Sequence, residues 1–248
     1  MDSKAGSEGL VEFVNAVRAE EQKRYHRLVR ALCFELNGQP VEVADVVPTT
    51  TVLQWLRARG LSGTKEGCAE GDCGACSIVL LDAGPEGPAW RAVNACLVFL
   101  PSLDGRRVLT VEGVAQADGT LHSVQRALVE HSGSQCGYCT PGFVMSMFEA
   151  CYRDDLDASW KIDDQLCGNL CRCTGYRSIR EATVTVAGSS PKDRFSRSLP
   201  MHSGLPALRY DAAAASYERP VTWEELFDAM DRRPEHRFIC GGTDLGPM

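Results

Sequence analysis

The sequence predicts an α+β chain: a small domain of strands around one helix, then a mostly helical domain, then the opening of a third. Three observations carry this reading. Apolar residues alternate with period two from Leu32 and switch to helical spacing from Leu121. Asn37-Gly38 separates two alternating runs, a strong signal for a tight hairpin. Cysteines crowd into short stretches between the expected strands and helices.

Residues 1–28 are polar and helix-prone, with Phe13, Val14 and Val17 as a thin apolar face, and read as an N-terminal extension. In residues 29–113, Leu32, Phe34 and Leu36 form one strand and Val41 and Val43 return on the next. Thr50 or Thr51 caps a helix carrying Val52, Leu53, Trp55 and Leu56, and Gly60 stops it. A glycine- and cysteine-rich loop from Gly63 to Cys76 follows. After it come an apolar strand Ile78–Leu81, a strand around Trp90–Val93 and another over Val108–Val111.

In residues 118–188, Leu121, Val124, Leu128 and Val129 are expected on one helix face, with Gly133 as the stop. Thr140-Pro141 opens a second helix bearing Phe143, Val144, Met147, Phe148 and Cys151, with proline where its missing N–H costs nothing. Trp160–Leu166 and a segment after Ser178 supply two more, although the β-branched run Thr183-Val184-Thr185-Val186 works against the last. Residues 189–216, rich in Ser, Pro and Ala, read as a linker. In 217–248, Thr222 and Glu225 form a capping box, and Phe238-Ile239-Cys240 leads into Gly241-Gly242-Thr243-Asp244. That segment looks like the start of a domain whose body is absent.

Composition narrows the function classes. At 248 residues the chain is long enough for two small cores. No apolar run approaches the roughly 18 residues a membrane span needs, and Met1–Arg30 lacks a secretory h-region. A net charge of −7 argues against nucleic acid, which attracts basic surfaces. A cytoplasmic location is expected, and there twelve cysteines at short spacings point to metal rather than disulfides.

The first constellation is Cys68-x4-Cys73-x2-Cys76 with Cys96 farther on, the spacing of a plant-type [2Fe–2S] loop. Such a cluster needs four deprotonated sulfurs, two per iron, closely wrapped by backbone. Gly67, Gly71 and Gly74 make that wrapping possible. Zinc, the competing metal, more often uses two short knuckles. The second constellation, Cys136-x2-Cys139 with Cys171-x-Cys173, suits zinc as well as iron–sulfur when taken alone. Its cysteines stand at expected helix starts, where free N–H groups favour thiolate, and its coexistence with the first loop favours iron. Cys33, Cys151, Cys167 and Cys240 read as small buried hydrophobes, with Cys167 also placed to compete as a ligand. The five histidines show no metal-ligand spacing, and no catalytic residue is expected on the chain.

Gly63-Thr64-Lys65-Glu66-Gly67-Cys68-Ala69-Glu70-Gly71-Asp72-Cys73-Gly74-Ala75-Cys76 and Asn94-Ala95-Cys96 resemble the first-cluster motifs of the molybdenum hydroxylases. Gln135–Gly142 and Gly168–Arg177 resemble the second-cluster motifs of that family, and the likeness runs from about residue 30 to 187. Within the family, Arg91–Cys96 and Phe99–Gly105 look most like the small iron–sulfur subunit of bacterial xanthine dehydrogenases. The resemblance implies a β-grasp [2Fe–2S] ferredoxin-like domain, an all-α four-helix [2Fe–2S] domain and a truncated start of an FAD-binding domain. It implies that Cys136, Cys139, Cys171 and Cys173 hold the cluster nearer a molybdopterin cofactor, with Gln135 hydrogen-bonding the pterin. Cys68, Cys73, Cys76 and Cys96 would hold the cluster passing electrons toward FAD and NAD. Gly241, Gly242 and Thr243 resemble the first flavin-binding turn, though so short a piece is expected to bind FAD poorly. The implied partner is a large molybdopterin-binding subunit in a hetero-oligomer, which carries out the oxidoreductase chemistry on a substrate such as xanthine.

Overall fold

A computed structural model of the chain describes residues 28–29, 31–84, 87–116, 118–197 and 205–243. The expected apolar face at Phe13, Val14 and Val17, and the end of the glycine turn from Asp244 on, lie outside the described residues.

The first half is a five-stranded mixed sheet with one helix, in the order β3 (Gln39–Ala44), β2 (Ala31–Leu36), β6 (Arg107–Leu109), β4 (Ser77–Gly84), β5 (Gly87–Asn94). Strands β2 (Ala31–Leu36) and β3 (Gln39–Ala44) pair antiparallel about Asn37 and Gly38, both at positive φ (53° and 81°), as a tight primed turn requires. Strand β6 (Arg107–Leu109) lies parallel to β2 and antiparallel to β4 (Ser77–Gly84), which forms a hairpin with β5 (Gly87–Asn94). Helix α1 (Val52–Ala58) starts at a Thr51–Gln54 capping box and buries Val52, Leu53, Trp55 and Leu56. This is the expected β-grasp arrangement.

Strand β4 explains how the two halves join. Successive side chains of a strand point to opposite faces. Ile78 and Leu80 pack with α1, while Val79 and Leu81 pack with the helices that follow, so the strand is buried on both sides. Those helices are α2 (Ser123–Glu130), α3 (Thr140–Tyr152), α4 (Ser159–Leu166) and α5 (Arg177–Val186). Trp90 of β5 enters their core and meets Phe148 edge-on at 5.7 Å and Phe195 at 6.3 Å. Sheet and helices therefore share one apolar cluster.

Several elements depart from the sequence reading. Helix α2 buries Val124, Ala127 and Leu128, an i, i+3, i+4 stripe, whereas Leu121 precedes the helix and Val129 faces solvent. The last strand of the sheet stops at Leu109. There the Asn37 side chain accepts from the Thr110 N–H and the chain turns into a 3₁₀ segment, Val111–Gly113. Helix α5 runs through the β-branched residues, with the Thr183 and Thr185 hydroxyls donating to the Ile179 and Ala182 carbonyls.

The described residues of the segment read as a linker are largely structured. Asp193 accepts from the Tyr152 hydroxyl at 2.5 Å, and α6 (Arg194–Arg197) places Phe195 against Phe148. Strand β7 (Leu208–Ala212) pairs parallel with β1 (Leu28–Val29) and antiparallel with β8 (Ala215–Arg219). The buried Tyr210 ties it to Val46 through its hydroxyl. Composition hid this hairpin because its turn is Ala213-Ala214, at φ 49° and 61°, where Asn or Gly would have advertised it. Helix α7 (Trp223–Arg232) begins at the expected Thr222–Glu225 capping box.

Candidate metal centres

The β4–β5 hairpin assembles half of the first centre. Its ladder opens with Ser77 opposite Asn94, which sets Cys76, just before β4, beside Cys96, just after β5. Two further contacts hold the site: Ala95 N–H donates to the Cys76 carbonyl at 3.3 Å, and the Asn94 amide to the Gly71 carbonyl at 2.7 Å. Cys68 and Cys73 form the other half on the loop itself. Backbone N–H groups aim at their sulfurs, Cys68 N to Cys73 Sγ at 3.3 Å and Glu70 N to Cys68 Sγ at 3.5 Å. A Cβ on Gly67 would lie 2.6 Å from Cys73 Sγ, so a larger residue there would displace that thiol.

The electrostatics pair the thiols in the same way. The Cys96 thiol draws Cys76 down to about 7, and Cys96 is pushed up by Cys76 and then by burial. Burial raises Cys73. Burial also works against Cys68 ionising, but the Glu70 N–H, the Cys73 thiol and further backbone N–H groups outweigh it and lower its pKa.

Helix boundaries build the second centre. Cys139 is the residue before α3, and Pro141 follows at the first helical turn. Cys171 and Cys173 lie between α4 and α5, where Tyr176 at φ 66° turns the chain and its hydroxyl accepts from Cys171 N–H at 2.9 Å. Burial pushes Cys139 up to about 12, aided by Cys171 beside it. Burial likewise opposes ionisation of Cys171, but the Thr174 hydroxyl, 3.2 Å from its sulfur, and the Thr174 and Cys173 N–H groups bring it down. Cys136 pushes Cys173 up. The pairs here are 139 with 171 and 136 with 173.

Among the described residues, no three Cys, His, Asp or Glu side chains are drawn together about one point. The thiols instead stand two by two, and N–H donors face several of the sulfurs. This donor set fits a dinuclear cluster with two thiolates per iron.

The two loops touch through backbone. Leu170 N–H donates to the Cys73 carbonyl at 2.9 Å. The buried Asn169 donates its amide to the Gly74 carbonyl at 2.9 Å, and the Tyr138 hydroxyl donates to the Glu66 carbonyl. Motif reading gave Asn169 and Tyr138 no role. The one signal available was a polar residue one or two places from each ligand.

Of the remaining cysteines only Cys151 is buried; Cys33, Cys167 and Cys240 are exposed, which corrects the reading of all four as core residues. Cys33 falls on the outward face of β2, between the inward Leu32 and Phe34. Gln135 is exposed next to Cys136. Gly241 and Gly242 both have positive φ, and a Cβ on Gly242 would lie 2.5 Å from the Leu97 carbonyl, so this turn abuts the residue after Cys96. Thr243 is exposed. A cleft of about 1120 Å³ nearby is lined by Ala69 and Cys96 on one side and by Phe238 and Ile239 on the other.

Two family models match: a 2Fe-2S iron-sulfur cluster binding domain over residues 34–100 and a [2Fe-2S] binding domain over 110–184. Xanthine dehydrogenase from Emericella nidulans is 44% identical over 151 residues, covering 60% of this chain and 11% of that protein. Aldehyde oxidase 2 from Cavia porcellus is 44% identical over 270 aligned residues, covering 87% and 20%. Quinoline 2-oxidoreductase from Pseudomonas putida 86 superposes with a TM-score of 0.54 at 30% identity, covering 66% of this chain and 95% of that one. The chain belongs to the molybdenum hydroxylase family. Within that family, aldehyde oxidoreductase from Desulfovibrio gigas gives a TM-score of 0.56 at 32% identity, covering 65% of this chain and 17% of that one. The chain spans 11% to 20% of the length of these curated relatives. The [2Fe-2S] binding domain model over 110–184 covers the segment that carries the second constellation, which spacing alone left open between zinc and iron.

Proposed function

We propose that this chain is the iron–sulfur electron-transfer part of a xanthine dehydrogenase-type molybdenum hydroxylase. One observation carries the reading: two four-thiol sets, each arranged in pairs, meet through a direct hydrogen bond between Leu170 and Cys73. A [2Fe–2S] group in each set would accept and release one electron at a time. The chain's own residues supply thiolates, exclude water around Cys76, Cys96 and Cys171, and keep the two loops in contact.

In this reading Cys136, Cys139, Cys171 and Cys173 face a molybdopterin held by a large partner subunit, with the exposed Gln135 reaching the pterin. Cys68, Cys73, Cys76 and Cys96 face the flavin side, where Gly241, Gly242 and Thr243 pack beside Leu97. Hydroxylation of xanthine and the reduction of NAD belong to the assembled hetero-oligomer. All twelve cysteines are free, which suits the reducing cytoplasm. The aldehyde and quinoline relatives support a second reading, in which the same electron path serves another substrate.

Anaerobically reconstituted protein tests the core of this. Equal amounts of iron and acid-labile sulfide, and two distinct S = ½ resonances after dithionite reduction, are expected. A single resonance, or zinc in place of sulfide, overturns it. Co-purification with a molybdopterin-bearing subunit tests the partner.

A further inference from the structure

Asn169 touches no candidate ligand sulfur, yet it occupies the seam between the two cluster loops and is 3% exposed. Every polar atom of its amide is engaged. Its Oδ1 accepts from the Ser146 hydroxyl of α3 at 2.5 Å, and its Nδ2 donates to the Gly74 carbonyl at 2.9 Å and to Ser77 Oγ at 3.3 Å. Ser77 Oγ in turn donates to the same Gly74 carbonyl at 2.8 Å. One side chain thus joins α3, the segment leading to Cys171 and the segment between Cys73 and Cys76.

The backbones at this seam have no clearance. A Cβ on Gly74 would lie 2.2 Å from the Gly168 carbonyl, and one on Gly142 would lie 2.2 Å from the Gly74 carbonyl. So close an approach of peptide dipoles, out of water, needs each carbonyl to have a donor. Three donors reach the Gly74 carbonyl, the Ser77 N–H at 3.1 Å, the Ser77 hydroxyl and the Asn169 amide, and only the last comes from the second loop. Next to them lies the Leu170–Cys73 hydrogen bond, the shortest bonded connection between the two sets of thiols.

Resting on the electron-transfer reading above, we propose that Asn169 is a positioning residue: it locks the two cluster loops in register, so that the Leu170 N–H to Cys73 carbonyl bond couples the two centres electronically. Coupling between redox centres falls with separation and falls faster across a gap than through bonds. Removing the amide leaves the Ser146 hydroxyl without its acceptor and takes away the one donor to Gly74 that comes from the second loop, which lets the loops part. Both sets of ligands stay intact.

The test is low-temperature electron paramagnetic resonance of the fully reduced, reconstituted full-length chain, with iron and sulfide analysis alongside. In the parent protein the two S = ½ signals are expected to split one another. Asn169→Ala is expected to keep full iron, full sulfide and both sets of g values while losing most of that mutual splitting and slowing electron equilibration between the centres. Ser146→Ala, a milder cut at the same node, is expected to lose part of the splitting and serves if Asn169→Ala does not fold. Unchanged splitting in the variant that folds overturns the proposal, as does selective loss of one cluster, which would make Asn169 an assembly residue. Two uncoupled signals in the parent overturn it as well. Absence of two signals in the parent instead defeats the electron-transfer reading itself, so the two failures are distinct.

Discussion

The two candidate centres hold the same number of thiols by opposite means. At the first, three cysteines lie within nine residues of one loop and a hairpin delivers the fourth; Cys76 and Cys96 are each 2% exposed. At the second, two pairs 35 residues apart meet where four helices converge, and Cys136 and Cys173 are exposed. A loop can wrap a cluster with its own N–H groups, whereas helix termini present theirs only along the axis and leave the flanks open. The sheltered centre is suited to retaining its charge state, and the open one to meeting a partner at its surface. Hydrogen bonds and solvent access around sulfur set reduction potentials, so the two centres are expected to differ in potential even with identical ligand atoms.

The largest effects sharpen the contrast directly. Cys76→Ser and Cys171→Ser are each expected to remove one centre, cutting iron and labile sulfide to about half and deleting one of the two resonances, since each cluster needs four sulfurs. Loss of both signals from either change would mean the centres assemble as one unit. Trp90→Ala empties part of the apolar cluster shared by sheet and helices, and a destabilisation of about 3–5 kcal/mol is expected from such truncations. Denaturant melts followed by cluster absorbance and by far-ultraviolet dichroism should shift together. Separate transitions would show that the halves fold independently.

Glycines at the two centres give a smaller contrast. Gly137, in the second loop, has φ 82° and nothing within 4 Å of a built Cβ. Gly137→Ala is expected to cost only about 1 kcal/mol from backbone strain. Gly74→Ala carries the same strain and also drives a methyl into Gly168, so it should destabilise further and lower cluster occupancy. Thermal melts with iron analysis compare them.

The smallest effect concerns His122, which is 2% exposed and contacts Tyr152 and Asp193. Burial lowers its pKa, against the raising influence of Asp193, while Arg194 and Arg126 lower it further. The unfolded chain therefore binds the proton first, at about pH 6.5. Stability present above that pH is lost as pH falls through the folded-state value. His122→Gln should flatten this slope between neutral and mildly acid pH in parallel melts, and an unchanged slope would assign it to other groups.

Much of the first centre was legible because its ligands are local. A Cys-x4-Cys-x2-Cys loop with glycines between the cysteines specifies its chemistry within nine residues, and an Asn-Gly hairpin or a Thr-x-x-Gln cap is likewise decided by near neighbours. The second centre was less legible, because its spacing alone suits zinc too and only its coexistence with the first loop and the resemblance favoured iron. Composition misread 189–216 as a linker, since an Ala-Ala turn and a tyrosine bonded to a distant backbone carry no local mark.

Residue identity and spacing thus marked the thiols that are candidates to bind metal and most of the strands and helices before residue 189. Tertiary structure settled which thiols stand together, that β4 is buried on both faces, and that Asn169 sits between the two centres. Those outcomes depend on contacts across 23 to 95 residues of chain, where burial and hydrogen bonding can be satisfied in many ways until the whole fold closes.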